Sequence, residues 1–98
     1  MLKIRWTRQA EKDYLSTLEF WIKNNKSNSF SVKLMNEVLK TEKYIIKNPL
    51  SGSLFDINRK IYKLPILKHF SIIYNVDNDH INIIAFWDNR RNPENLKI

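Results

Sequence analysis

Ninety-eight residues, with 43% apolar and 28% charged side chains, make a single folded domain and exclude a disordered chain. The absence of cysteine excludes disulfide and thiolate chemistry, and with only two histidines a zinc site is not expected. Seventeen Lys and Arg against ten acids leave a net charge of +7, which draws polyanions: DNA, RNA, ribosomes or an acidic protein.

The chain opens with "LKIRW" (2–6), where Leu2, Ile4 and Trp6 alternate with Lys3 and Arg5, the pattern of a half-buried strand. Thr7 follows as a helix N-cap, with Glu11 and Asp13 in the first turns, where the helix dipole favours anions. Ala10, Tyr14, Leu18, Trp21 and Ile22 then recur at helical spacing. "NNKSNS" (24–29) breaks that period. A second helix begins near Ser29 and lines its buried side with Phe30, Leu34, Val38 and Ile45, with Met35 and Leu39 beside them. "KNPLSG" (47–52) ends it, because Pro49 cannot continue a helix and Gly52 permits a turn.

The second half reads as strands. "RKIYKL" (59–64) is short, and Pro65 is expected to mark its end. "HFSIIYNV" (69–76) and "HINIIAFW" (80–87) flank the hairpin turn "DND" (77–79). The order β-α-α-β-β-β predicts an α+β fold: an antiparallel four-stranded sheet with a helical hairpin on one face, spanning residues 1–98. Strict alternation puts Tyr62, Leu64, Phe70, Ile72, Tyr74, Ile81, Ile83 and Ala85 under the helices. It turns Arg59, Lys63, His69, Ser71, Asn82, Ile73, Ile84 and Phe86 to the open face, a mixture of cations, histidine and apolar surface that suits binding. No stretch approaches the roughly 18 apolar residues of a membrane span, and "MLKIRWTR" has no signal-peptide core, so the expected location is the cytoplasm.

The last strand runs into "AFWDNRRNP" (85–93), an apolar run that ends in an acid, two arginines and a proline. Asn89 and Pro93 are expected to bracket a turn that mounts Arg90 and Arg91 stiffly. Adjacent side chains diverge, so one arginine should pair with Asp88 or a carbonyl and the other should face a target's phosphates or carboxylates.

Three stretches, "IRWTRQAEKDYLSTLEFW", "IIKNPLSG" and "IYKLPILKHFSIIYNVDNDHINIIAFWDNRRNP", resemble in this order the RelE/ParE superfamily of bacterial toxins from type II toxin–antitoxin systems. The resemblance implies a growth-inhibiting toxin neutralised by a cognate antitoxin that wraps around it, as a toxin dimer or a toxin–antitoxin hetero-oligomer. It leaves two targets: DNA gyrase for ParE-like members, and mRNA in the ribosome for RelE-like endoribonucleases. A third alternative is an inactive or regulatory antitoxin-binding module.

RNA cleavage needs a base, an acid and fixed cations, and no metal or cofactor. Candidates for a nuclease are His69, Lys63, Arg90 and Asp88, the last at the position where several relatives carry a catalytic His or Tyr. Gyrase binding asks only for a docking surface, for which Arg59, Lys63, Lys68, Arg90, Arg91 and Trp87 are the candidates. The thin acid/base set puts the gyrase reading first. The family's recurrent arginine falls at Arg90, which makes Arg91 the more variable contact.

Overall fold

The computed structural model describes residues 2–25, 27–91 and 96. The chain runs β1 (Lys3–Trp6), α1 (Arg8–Asn25), α2 (Ser29–Lys47), β2 (Ser53–Asp56), β3 (Ile61–Ile66), β4 (Phe70–Val76) and β5 (His80–Asp88). Thr7 caps α1, its hydroxyl oxygen accepting the Ala10 N–H at 3.2 Å. The two helices pack side by side on one face of the sheet, and neither is long and apolar enough to cross a membrane.

The sheet has five strands, not four, in the order β1-β5-β4-β3-β2. The extra strand is β2, four residues with adjacent exposed Leu54 and Phe55 and so no alternation to announce it. It exists because β3 offers it an edge, through Ser53 opposite Lys63 and Leu54 opposite Tyr62. The sheet is also mixed rather than antiparallel: β1 lies parallel to β5, with Ile4 beside Ile81 and Trp6 beside Ile83. Pro65 does not end its strand but lies within β3, opposite Ser71. β2 stops opposite Lys63, so β3 is an outer strand at Pro65 and the missing N–H leaves no neighbour unpaired.

The main core fills the space between hairpin and sheet. Ala10, Leu34, Val38 and Ile45 of the helices meet Phe70, Ile72, Tyr74, Ile81, Ile83 and Phe86 of the central strands. Burying these side chains is what chiefly holds helices to sheet, at about 1.5–3 kcal/mol for each large one. Ile22 departs from the expected pattern: it is exposed, as are Met35 and Leu39.

One irregularity decides which side chains face where. The β4–β5 register slips between Ile73, opposite Ala85, and Tyr74, opposite Ile83. Ile84 is therefore an extra residue, a β-bulge, and every position after it changes face. Ala85, expected under the helices, lies on the open side, while Phe86, expected there, lies in the main core.

Candidate functional site: the open sheet face and the end of β5

The bulge delivers Trp87 to the open face. There it joins Ile61, Ile73 and Ala85 in a second, smaller apolar cluster, with Ile84 and Leu96 packed against it. The centre of this face is not bare apolar surface: Ile73 and Ser71 are fully buried and Trp87 nearly so. What the face offers a partner is its polar margin.

That margin is held in place by hydrogen bonds. Beyond β5, the Asn89 N–H donates to the His69 carbonyl at 2.7 Å, and the buried Ser71 hydroxyl donates to Asn89 Oδ1 at 2.9 Å. Arg90 then folds back on Asp88. Its Nε donates to Asp88 Oδ1 at 3.0 Å and its Nη2 to Oδ2 at 2.7 Å, while its backbone N–H donates to Oδ1 at 3.0 Å. This two-pronged pairing matches the planar guanidinium to the carboxylate. The Arg90 guanidinium also lies 5.9 Å from the Trp21 ring of α1.

Arg91 is placed differently. Its backbone N–H donates to the Asp88 carbonyl at 3.0 Å, closing the turn, and its guanidinium lies over the Trp87 ring at 4.8 Å. The two adjacent arginines thus divide between an internal carboxylate and an aromatic platform. Pro93, expected to bracket this turn, lies outside the described residues.

Asp88 is not built to take a proton. The Arg90 guanidinium, first, and the Arg90 N–H hold its carboxyl below the usual range, and His69 contributes in the same direction, against an opposing push from burial. Half-buried His69 lies at the same end of the sheet as Asp88. The described residues bring no third carboxylate or imidazole there, and no three His, Asp or Glu side chains among them converge to hold a metal.

The remaining candidates fall in two groups. Lys68, in the β3–β4 turn, is at the Trp87 end, and Lys63 points to the open face opposite Ile73. Arg59 is not with them. It sits in the turn before β3, toward the far end of the sheet, with its Nε 3.1 Å from Asp56 Oδ2. Sequence reasoning missed a polar row at that far end: Arg5 Nε donates to Asn82 Oδ1 at 2.8 Å, and Asn82 Nδ2 donates to Asn75 Oδ1 and Asp77 Oδ2, each at 2.9 Å. It placed Ser71 on the open face and Asn89 in the turn but missed the hydrogen bond between them, which follows only from the β4–β5 register.

The sequence matches, over residues 4–93, the family described as the ParE toxin of type II toxin–antitoxin systems, parDE. Among solved structures it is similar to a chain of the chromosomal ParDE TA system from P. aeruginosa. The TM-score is 0.73 at 18% identity, over 90% of this chain and 96% of that one. Among curated protein sequences none matches significantly.

Proposed function

Since the chain belongs to the ParE toxin family of type II toxin–antitoxin systems, we propose that it stops growth by binding DNA gyrase, through the margin of the open sheet face. The observation that carries this reading is the division of labour between Arg90 and Arg91. Arg90 is spent on Asp88, which makes that carboxylate a weaker base. Arg91 stands on Trp87 from a hydrogen-bonded turn, a rigid cation suited to a phosphate or carboxylate of the target. Lys63 and Lys68 extend the same positive margin, and Trp87 supplies the platform beneath it.

The test is induction without a neutralising partner, with DNA and mRNA read from the same culture. Gyrase poisoning appears as DNA breaks and loss of supercoiling while transcripts stay intact. Discrete cuts within translated codons, mapped by primer extension, would overturn this ranking in favour of a ribosome-dependent endoribonuclease. That second reading draws on one observation: His69, the best acid/base candidate, adjoins Asp88 with Lys68 next to it in sequence. Unimpaired growth with soluble, folded protein would leave only the regulatory module. The toxin's partner is a cognate antitoxin, encoded beside it, and both act in the cytoplasm as a hetero-oligomer.

A further inference from the structure

Aromatic residues aside, two polar side chains are buried among the described residues, Ser31 and Ser71. A buried hydroxyl needs a partner, because leaving it without one costs more than the bond returns. Ser31 donates to the Leu18 carbonyl at 2.8 Å and so pins α2 to α1, which accounts for it. Ser71 has no such local use. It lies in β4 between Phe70 and Ile72, with Ile73 beyond, all of them buried. An alanine there would bring no polar group to satisfy. The one hydrogen bond that the Ser71 hydroxyl makes among the described residues goes to Oδ1 of Asn89, an exposed residue just past the end of β5.

The strand register says what this bond can do. Ser71 stands directly opposite Trp87, so the two side chains share the open face with their Cβ atoms about 5 Å apart. Asn89 comes two residues after Trp87, on the diagonal that a cross-strand neighbour can reach. One hydroxyl therefore adjoins both the aromatic platform and the turn that carries the cation. That turn runs from Asp88 to Arg91 and is closed by the Arg91 N–H on the Asp88 carbonyl at 3.0 Å. Closure holds the turn together but does not aim it. Two further bonds tie it to β4 and the residue before it. The Asn89 N–H donates to the His69 carbonyl at 2.7 Å, and the Ser71 hydroxyl meets the Asn89 side chain at 2.9 Å. The first fixes a point about which the turn could still swing. The second fixes the direction in which residues 89–91 leave the sheet. The Arg91 guanidinium, 4.8 Å from the Trp87 ring centre, is the group whose place depends on that direction.

We propose that Ser71 is a positioning residue for target binding: through Asn89 it holds the turn at the angle that stands Arg91 on Trp87. Ser71 is fully buried and touches no target itself. An arginine already held in its binding pose avoids the ordering cost of a free one, a factor of about three to ten in affinity. The proposal rests on the reading of Arg91 as a target contact.

Three variants of the full chain separate aim from stability. Ser71→Ala removes the buried donor and leaves the exposed Asn89 to water, so its melting temperature is expected to stay close to that of the unaltered chain. Asn89→Ala strands the buried hydroxyl and is expected to melt lower. The double variant removes both partners and is expected to recover most of that loss. All three are expected to need about three- to tenfold more soluble protein for the same growth arrest. A purely structural role would make arrest follow the melting temperature, sparing Ser71→Ala and the double variant, and that pattern overturns the proposal. The place of Arg91 is read by NMR from its side-chain methylene resonances, assigned by their loss in Arg91→Ala. They are expected upfield in the unaltered chain, through the ring current of Trp87, and at ordinary arginine positions in all three variants. Resonances that stay in place in Ser71→Ala, or arrest that is undiminished after they move, overturn the proposal as well. An unaltered chain that arrests no growth sinks the toxin reading, and the resonances alone then decide whether Ser71 aims Arg91.

Discussion

Arg90 and Arg91 are neighbours in sequence with different energetic roles. Arg90 neutralises Asp88 through three hydrogen bonds, so its loss frees a carboxylate beside the turn. Arg91 rests on Trp87, where its charge contributes little to folding. Arg91→Glu is therefore expected to abolish growth arrest with an unchanged melting temperature, and Arg90→Glu to lower both. Equal melting temperatures for the two variants would show that the Asp88 pair has no structural weight. At the opposite end of the face, Asp77 accepts from the Asn82 side chain, the largest influence on it, and from the Asp79 and His80 N–H groups. These hold its pKa at about 2, below its ordinary 3.8. A carboxyl whose pKa is lowered by folding stabilises the fold above the unfolded value and loses that contribution as pH falls through the folded one. Asp88, lowered by Arg90, acts in the same direction. Denaturant midpoints are expected to hold from neutrality to about pH 4 and to fall between about pH 4 and about pH 2. Asp77→Asn is expected to flatten part of that fall.

The elements differ in how openly their sequences declare them. Both helices were readable because Ala10, Leu18, Leu34, Val38 and Ile45 carry a 3.6-residue period that burial enforces. β4 was readable because its turn, "DND", closes through Asp77 as the spacing requires. The bulge at Ile84 was not, because a residue inserted into the apolar run from Ile83 to Trp87 leaves no mark in the alternation. That one slip exchanged Ala85 and Phe86, and with them part of the assignment of the open face. β2 was invisible for a different reason: its pairing partner, β3, creates it. The Asp88–Arg90 pair was open to reading from adjacency and charge, whereas the Ser71–Asn89 hydrogen bond, across 18 residues, depends on register. Gly52 is the joint where the α2 exit, β3 and β4 meet. Its N–H donates to the Tyr74 hydroxyl at 3.0 Å. A Cβ there would come within 2.9 Å of both that hydroxyl and the Lys63 carbonyl. Gly52→Ala is expected to destabilise by about 1–3 kcal/mol in chemical denaturation, through overpacking and not through backbone strain. Tyr74→Phe removes one of the two obstructing oxygens. The double variant should therefore be less destabilised than the sum of the singles. Strict additivity would mean that the Lys63 carbonyl alone sets the cost.

One sheet separates the margin proposed above to bind the target from an apolar groove that α1, α2 and β1 enclose, lined by Trp6, Leu15, Met35 and Leu39. The helices and their groove occupy one face, while Trp87, Arg91 and Lys63 occupy the other. A partner seated only in the groove does not touch Arg91, so a toxin of this build can be held on one side while the margin proposed to meet the target lies on the other. The two sides are not wholly independent, because Trp21 of α1 lies under Arg90 and ties the hairpin to the end of β5. Neutralisation then needs either a chain long enough to pass from groove to margin or a complex whose bulk keeps the target away. The two sides can be told apart by crossing one variant from each. Leu39 is 54% exposed, so Leu39→Ser removes groove contact without opening the core. It is expected to leave growth arrest intact while weakening rescue by a co-expressed cognate antitoxin. Arg91→Glu is expected to show the reverse: no arrest, but undiminished capture of the same antitoxin in a pull-down. If Leu39→Ser also lost arrest while still melting normally, the groove itself would belong to the target-binding surface. If Arg91→Glu also lost capture, the antitoxin would have to reach across the sheet edge and grip the margin directly.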